Sequence, residues 1–102
     1  MIKAQFLVPT HDNEGNPFSR RQWQALHERL DATFNGFSRR NGVHGQWEGY
    51  RDLSREYTVA LPGWLHVPRL LALVQWVRVE FKQEAIYIEI QGVPEIVSGD
   101  LP

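Results

Sequence analysis

Residues 18–36 of this 102-residue chain read FSRRQWQALHERLDATFNG, and this stretch decides the fold. Ser19, followed by Gln22 three residues later, forms the capping-box pattern that begins a helix. Phe18 and Trp23 have the spacing of a hydrophobic staple around that cap. Four apolar side chains then recur at intervals that place them on one face of a helix: Trp23, Leu26, Leu30 and Phe34. The stretch therefore predicts an amphipathic helix, which Asn35-Gly36 ends.

Strand patterns lie on both sides of this helix. Residues 2–8 alternate apolar and polar side chains at period two, and residues 85–90 do the same near the end of the chain. Between them we predict strands over 43–48 and 55–61, joined by a turn near 49–53. Asn41-Gly42 leaves an alternative open, because this pair can also close a tight hairpin with the residues before it.

A second helix follows the third strand. Pro68 suits the first turn of a helix, since its missing N–H would have no partner there. Leu70, Leu71, Val74, Val77 and Phe81 form its apolar stripe. The order is then strand, helix, strand, strand, helix, strand. We predict an α+β fold, a ferredoxin-like βαββαβ two-layer sandwich, with an antiparallel sheet, central first and third strands, and two helices on one face.

The length and composition indicate one domain over residues 1–102. Its core spans about 2–91, and residues 92–102 form a C-terminal tail that can add a short edge strand. Hydrophobic residues make up 42% of the chain and charged residues 23%, with a net charge of −1. The absence of cysteine excludes disulfides and thiol chemistry. We expect no membrane span, no cofactor, no metal site, a cytoplasmic location and no general attraction to nucleic acid.

Three short segments together resemble a known kind of protein. They are Pro9-Thr10-His11-Asp12-Asn13-Glu14-Gly15 with Phe18, Gly45-Gln46-Trp47, and Gln83-Glu84-Ala85-Ile86-Tyr87. The chain resembles small single-domain bacterial proteins of unassigned function that have a ferredoxin-like plan. This resemblance implies the fold and a bacterial cytoplasmic origin, but no substrate, cofactor or catalytic residue. The plan is also similar, by analogy of fold alone, to that of dimeric α+β-barrel proteins.

The apolar residues exceed what one thin core obviously needs. Ala72, Leu73, Trp76 and Val79 add apolar surface to the second helix beyond its stripe. Leu7 and Tyr87 belong to the sheet face that the helices leave open. From this surplus we expect an interaction or binding module, a homodimer whose interface uses these six residues, with an unknown small-molecule ligand and no catalytic motif.

Two other functions remain as alternatives. One is a small-molecule enzyme of the dimeric α+β-barrel type, with His44, Glu48, Tyr57 and Glu89 as acid–base candidates on the open sheet face, of which only some can share a face. The other is single-stranded nucleic-acid binding through the Arg39–Arg55 segment, where arginines alternate with aromatic residues. Carboxylates within the same segment cancel most of its positive charge, so we do not expect nucleic acid as the partner. The Asp12–Asn16 loop lacks the ligand pattern of an EF-hand and is typical of a plain turn.

Overall fold

The protein forms one five-stranded sheet with two helices. The structure is a computed structural model that describes residues 1–47 and 50–99, and the side chains at 45–47 and 50–52 are outside that description. The elements in chain order are β1 (Ile2–Pro9), α1 (Arg20–Thr33), β2 (Ser38–Trp47), β3 (Tyr50–Leu61), a 3-10 turn (Trp64–His66), α2 (Val67–Glu80), β4 (Ala85–Ile90) and β5 (Val93–Ser98).

The sheet has the order β2-β3-β1-β4-β5, and its neighbouring strands pair antiparallel. This arrangement confirms the predicted ferredoxin-like plan, including the central places of β1 and β3. The C-terminal tail extends the plan as β5. Gln91 and Gly92 join β4 to β5, and both have positive φ, 53° and 82°. Two such residues in succession are what a two-residue hairpin of type I′ requires.

Strand β1 shows how the sequence sets the two faces of the sheet. Ala4, Phe6 and Val8 are at most 1% exposed, whereas Lys3 and the other alternate residues retain access to solvent. A slip of one residue in this strand would exchange the two sets. The core beneath the helices continues through β3, β4 and α2, and its largest fully buried side chains include Tyr57, Leu61, Leu70, Val74, Phe81, Ile86 and Ile88.

The start of α1 has the predicted capping box. The Gln22 backbone N–H donates to Ser19 Oγ at 3.2 Å, and the Ser19 N–H donates to Gln22 Oε1 at 2.9 Å. The staple is also present, with the rings of Phe18 and Trp23 edge to face at 6.3 Å between centroids. Both rings also contact Phe81, at 5.0 and 4.9 Å, so the cap of α1 is tied to the end of α2.

Asn41-Gly42 is a bulge within β2, and the alternative hairpin at this pair is therefore wrong. The pairing with β3 shifts register between Arg40 and Val43, and Gly42 has a φ of 71° that suits glycine. Strand β3 is also longer than predicted. It begins at Tyr50, so the described residues of the expected turn near 49–53 are extended backbone.

The apolar stripe of α2 differs from the predicted one by one position. Leu73 is 4% exposed and belongs to the core, whereas Leu71 is 36% exposed. Both residues are leucine on a helix that is apolar on most sides, so periodicity could not separate them. Contacts with β5 cover part of the surplus apolar surface of α2, because the fifth strand widens the sheet under this helix. Among residues 1–47 and 50–99, neither helix has the length and apolarity that crossing a bilayer requires.

The capping box generates the first prediction. Replacing Ser19 by Ala removes the oxygen that accepts from the Gln22 N–H, and we expect the free energy of unfolding to fall by about 1 kcal/mol. Urea denaturation followed by circular dichroism measures this value. Ser19→Asp is the matched control, because its carboxylate can replace the hydroxyl as acceptor and should retain most of the stability. Equal unfolding free energies for Ser19→Ala and the native protein would contradict the role given to the cap.

Candidate functional site

A cleft of about 540 Å³ opens where the loop after β1 meets the start of α1 and the paired strands β2 and β3. Its lining combines cationic, aromatic and neutral polar side chains, and none of the described lining residues carries a carboxylate. The lining residues are Thr10, His11, Pro17, Phe18, Arg20, Trp23, Gln24, His27, Arg39 and Arg55. Since the whole chain carries a net charge of −1, this positive charge is a local property of the cleft.

The loop that forms one rim of the cleft is held by its own hydrogen bonds. The Asp12 carboxylate accepts from the N–H groups of Glu14 and Asn16, each at 2.9 Å. The hydrogen bond from the Asn16 backbone is the main reason that the pKa of Asp12 is lowered from its usual 3.8. A bridge between His11 and Pro17 closes the base of the loop. This segment is therefore the plain turn that the sequence predicted, and it presents His11 at the rim.

Thr10 fixes the ring of His11. The Thr10 hydroxyl donates to the backbone oxygen of Leu53 at 3.0 Å, and its oxygen lies 2.7 Å from His11 Nδ1. Because a hydroxyl has one proton to give, the hydrogen on Nδ1 must lie between the ring and Thr10. His11 Nε2 is then the nitrogen left for other partners.

His27 lines the inner wall of the cleft and forms a pair with the buried Tyr57. His27 Nε2 lies 2.8 Å from the Tyr57 hydroxyl, and the two ring centroids are 5.6 Å apart. The pKa of His27 is lowered from 6.5, first by burial and then by the charges of Arg39 and Arg55, while Asp31 opposes this shift. Burial raises the pKa of Tyr57 above 10.0. Both groups are therefore neutral at neutral pH, and the hydrogen bond between them can form in this state.

Arg55 is fixed by an aromatic ring. Its guanidinium carbon lies 3.9 Å from the centroid of the Trp23 ring, which is itself 7% exposed and packed into the core. Arg39 is opposite Tyr57 in the pairing of β2 with β3, which places it on the same side of the sheet. In the described part of the chain, the one ion pair within 4.0 Å joins Arg40 to Glu56 at 3.2 Å, on the opposite face. Arg39 and Arg55 thus face the cleft without a carboxylate partner among the described residues.

The four predicted acid–base candidates are not brought together. Tyr57 is fully buried on the helix-covered face, and Glu89 lies on the open face, where Gln5 Nε2 and the Tyr87 hydroxyl donate to its Oε2 at 3.0 and 3.2 Å. His44 is exposed on β2. Glu48 lies outside the described residues. Tyr57 and Glu89 therefore cannot share one site, because the sheet separates them.

The six interface candidates divide into two groups. Leu73 is a core residue, and Trp76 is half-buried, with the guanidinium of Arg29 4.2 Å from its ring centroid. These two contribute less free surface than the sequence suggested, because the fold itself covers them. Ala72 is exposed and Val79 is 65% exposed, while Leu7 and Tyr87 are half-buried on the open face. Burial raises the pKa of Tyr87, and its bond to Glu89 adds to this shift.

Sequence reasoning missed the cleft, although its signals were present. Trp23 and His27 are four residues apart on α1, so they share a face, and Arg55 and Tyr57 are two apart on β3, so they do as well. Periodicity could not predict the pairing of Arg39 with Tyr57, because that pairing depends on the strand register. In residues 1–47 and 50–99, no group of three His, Asp or Glu side chains could hold a metal ion.

The pKa of His27 generates the second prediction. In the unfolded chain this histidine gains a proton near pH 6.5, and in the folded protein it does so only at lower pH. The unfolded state therefore binds more protons in this window, and the free energy of unfolding falls as the pH drops below about 6.5. We expect His27→Gln to flatten this dependence between about pH 7 and 5.5, as measured by urea denaturation. His44→Gln, at an exposed site, is the control and should retain the dependence. An unchanged slope in His27→Gln would contradict the assignment.

Comparison with known proteins identifies the fold alone. No family model matches the chain, and no curated protein does. Among solved structures, the chain is similar to a phage SAM lyase in complex with S-methyl-5'-thioadenosine, with 16% identity, a TM-score of 0.64, and coverage of 99% of this chain and 92% of that one. A phage SAM lyase in the apo state matches with 14% identity and a TM-score of 0.66 over 99% of this chain and 91% of that one. The architecture is thus shared with an enzyme over nearly the full length of both chains.

Proposed function

We propose that this domain binds a small anionic ligand in the cleft. The observation that carries the proposal is the lining itself, which includes Arg20, Arg39 and Arg55 and, among the residues that the structure describes, no carboxylate. Three guanidinium groups around one concave surface repel each other, and an anion between them relieves that repulsion. Planar guanidinium groups also match the oxygens of carboxylates and phosphates in geometry. The geometry therefore supports the expected binding function best in the form of a module that binds a small anion.

The stack of Arg55 on Trp23 supports the proposal further. An arginine side chain loses rotamer freedom when it binds a ligand, and this loss reduces affinity. Contact with the Trp23 ring at 3.9 Å holds the guanidinium before any ligand arrives. The N–H groups at the edge of the guanidinium remain available, because the stack uses only its face. Preorganisation of this kind distinguishes a binding arginine from a solvated one.

The homodimer and the cytoplasmic location expected from the sequence remain proposals. A homodimer through Val79 and the open face, and a cytoplasmic location, rest on the sequence argument, and the exposed side chain of Val79 is consistent with the homodimer. Nucleic-acid binding is disfavoured by the register of β2 and β3, because Arg39 faces the cleft while Arg40 pairs with Glu56 on the other face. The described arginines of the segment therefore do not form one continuous basic strip along one surface.

A second candidate is an enzyme that acts on an adenosyl sulfonium compound, which the two phage SAM lyases of similar fold suggest. A sulfonium centre is a cation, and the arginine-lined cleft would repel it. On this chain the open face is the better place for it, where Gln5 and Tyr87 hold the Glu89 carboxylate. A shallow pocket between Lys3, Gln5, Glu89, Gln91 and Gly92 lies there.

The anion-binding proposal is tested by titrating the protein with methyl phosphate at low salt and following the arginine Nε–H signals by NMR. We expect Arg39→Gln and Arg55→Gln each to weaken the affinity about ten- to a hundredfold, since a hydrogen bond to a charged group contributes about 1.5–3 kcal/mol. Arg40→Gln is the matched control, because it removes the same charge from the opposite face. Thermal unfolding of each variant establishes that the fold is retained. Equal losses in all three variants would contradict a localised site.

The enzyme candidate is tested by incubating the protein with SAM and following the appearance of S-methyl-5'-thioadenosine by chromatography. If the open face carries the chemistry, Glu89→Gln abolishes turnover and Arg55→Gln does not. If the native protein at micromolar concentration forms no S-methyl-5'-thioadenosine above the rate in buffer, this candidate is excluded.

A further inference from the structure

We propose that the ligand of the cleft is a doubly charged anion of the phosphate-monoester class, and that His27 takes up a proton as this ligand binds. The inference rests on the proposed function, because it concerns the same cleft. It adds the charge class of the ligand and a pH dependence of binding, neither of which follows from the presence of arginines alone.

The charged groups around His27 set its protonation state. Arg39 approaches from β2, Arg55 and the Tyr57 hydroxyl from β3, and Asp31 from α1 itself. The two remaining cationic or titratable groups of the cleft are Arg20 at the start of α1 and His11 on the loop. Positive charge thus exceeds negative charge around the imidazole, and burial adds to this effect, so the pKa of His27 is lowered.

The same two arginines connect the ligand to His27. An anion that binds Arg39 and Arg55 offsets the charges that disfavour a proton on the imidazole, so protonation becomes more favourable in the complex. Linkage is reciprocal, and a ligand that promotes protonation must bind more tightly as the pH falls. A protonated imidazole also adds a fourth cation to the three guanidinium groups of the cleft. The coupling follows from the arrangement and needs no conformational change.

The bond to Tyr57 allows His27 to change its charge without losing a partner. A tyrosine hydroxyl can donate to a neutral imidazole nitrogen or accept from a protonated one. The 2.8 Å contact between His27 Nε2 and the hydroxyl therefore persists in both states. A phenylalanine at position 57 would leave the ring nitrogen without this acceptor and would oppose proton uptake.

The number of cations favours a dianion over a monoanion. A single carboxylate would offset one of the guanidinium groups and leave the others facing each other. A dianionic tetrahedral group presents oxygens in several directions and offsets two charges, and Arg39 and Arg55 lie on paired strands on the same side of the sheet. The three guanidinium groups carry one charge more than the dianion, and the proton on His27 adds another.

Sulfate and methanesulfonate test the charge class of the ligand and the proton uptake together. Both anions are tetrahedral and stay fully ionised in the pH range used, sulfate with two charges and methanesulfonate with one. Calorimetric titration between about pH 8 and 5.5 should show sulfate binding at least about fivefold more tightly than methanesulfonate. Sulfate affinity should rise as the pH falls, by at most about tenfold per pH unit for one proton. Titration of the native protein in two buffers of different ionisation enthalpy measures the proton uptake directly, without any substitution.

His27→Gln should flatten the pH dependence of sulfate affinity, whereas His11→Gln should retain it. If sulfate binding depends on Arg39 and Arg55 but is independent of pH, or if only His11→Gln flattens the dependence, the role of His27 is wrong while the proposed function stands. Equal affinity for the two probes overturns the charge class. If neither sulfate nor methyl phosphate binds, the proposed function itself fails.

Discussion

The contact between Phe6 and Tyr57 joins the core of this protein to its cleft. The two residues are paired across the central strands β1 and β3, with their rings stacked at 5.5 Å between centroids. Both side chains are fully buried, so the stack fixes the register of the two strands on which the rest of the sheet is built. The hydroxyl of the same tyrosine reaches His27 at the inner wall of the cleft. Packing in the core therefore determines where the polar groups of the site lie.

The sheet separates two surfaces of different chemistry. The cleft at its helix-covered side is cationic, whereas the open face carries Glu89 with its donors Gln5 and Tyr87. An anionic ligand would thus bind on the helix-covered side of the sheet and a cationic ligand on its open face. The similarity to phage SAM lyases concerns the architecture, and it leaves the choice between these surfaces to the side chains. Ligand chemistry, more than fold, is what distinguishes the two candidate functions.

Local signals predicted most of the fold. The capping box at Ser19 and the alternation in β1 each depend on residues close together in sequence, and both patterns hold in the structure. The order of elements was then enough to predict the strand arrangement. The bulge at Gly42 was not predicted, because an Asn-Gly pair is equally suited to a turn and to a bulge until the partner strand is known.

The site was less predictable than the fold for a related reason. No local pattern points to His27, since its partner Tyr57 is 30 residues away in sequence. Tyr57 is also an acid–base candidate, but its expected partners lie on the other face, at an exposed position of β2 or outside the described residues. Arg39 and Arg55 were grouped with Arg40 as one basic segment. Strand register separates them, and register arises from long-range packing that the sequence pattern does not encode.

The bulge in β2 also makes one position of this chain unusually tolerant of the loss of a residue. Two residues of β2, Asn41 and Gly42, lie where β3 has only Arg55, and beyond them Val43 is opposite Ser54 and His44 is opposite Leu53. Loss of one of the two would restore regular pairing and leave Val43 opposite Ser54, with Arg39 and Arg40 in place. In the evolutionary history of such a domain, a single-codon deletion at this point would therefore remove the bulge without exchanging the faces of the strand.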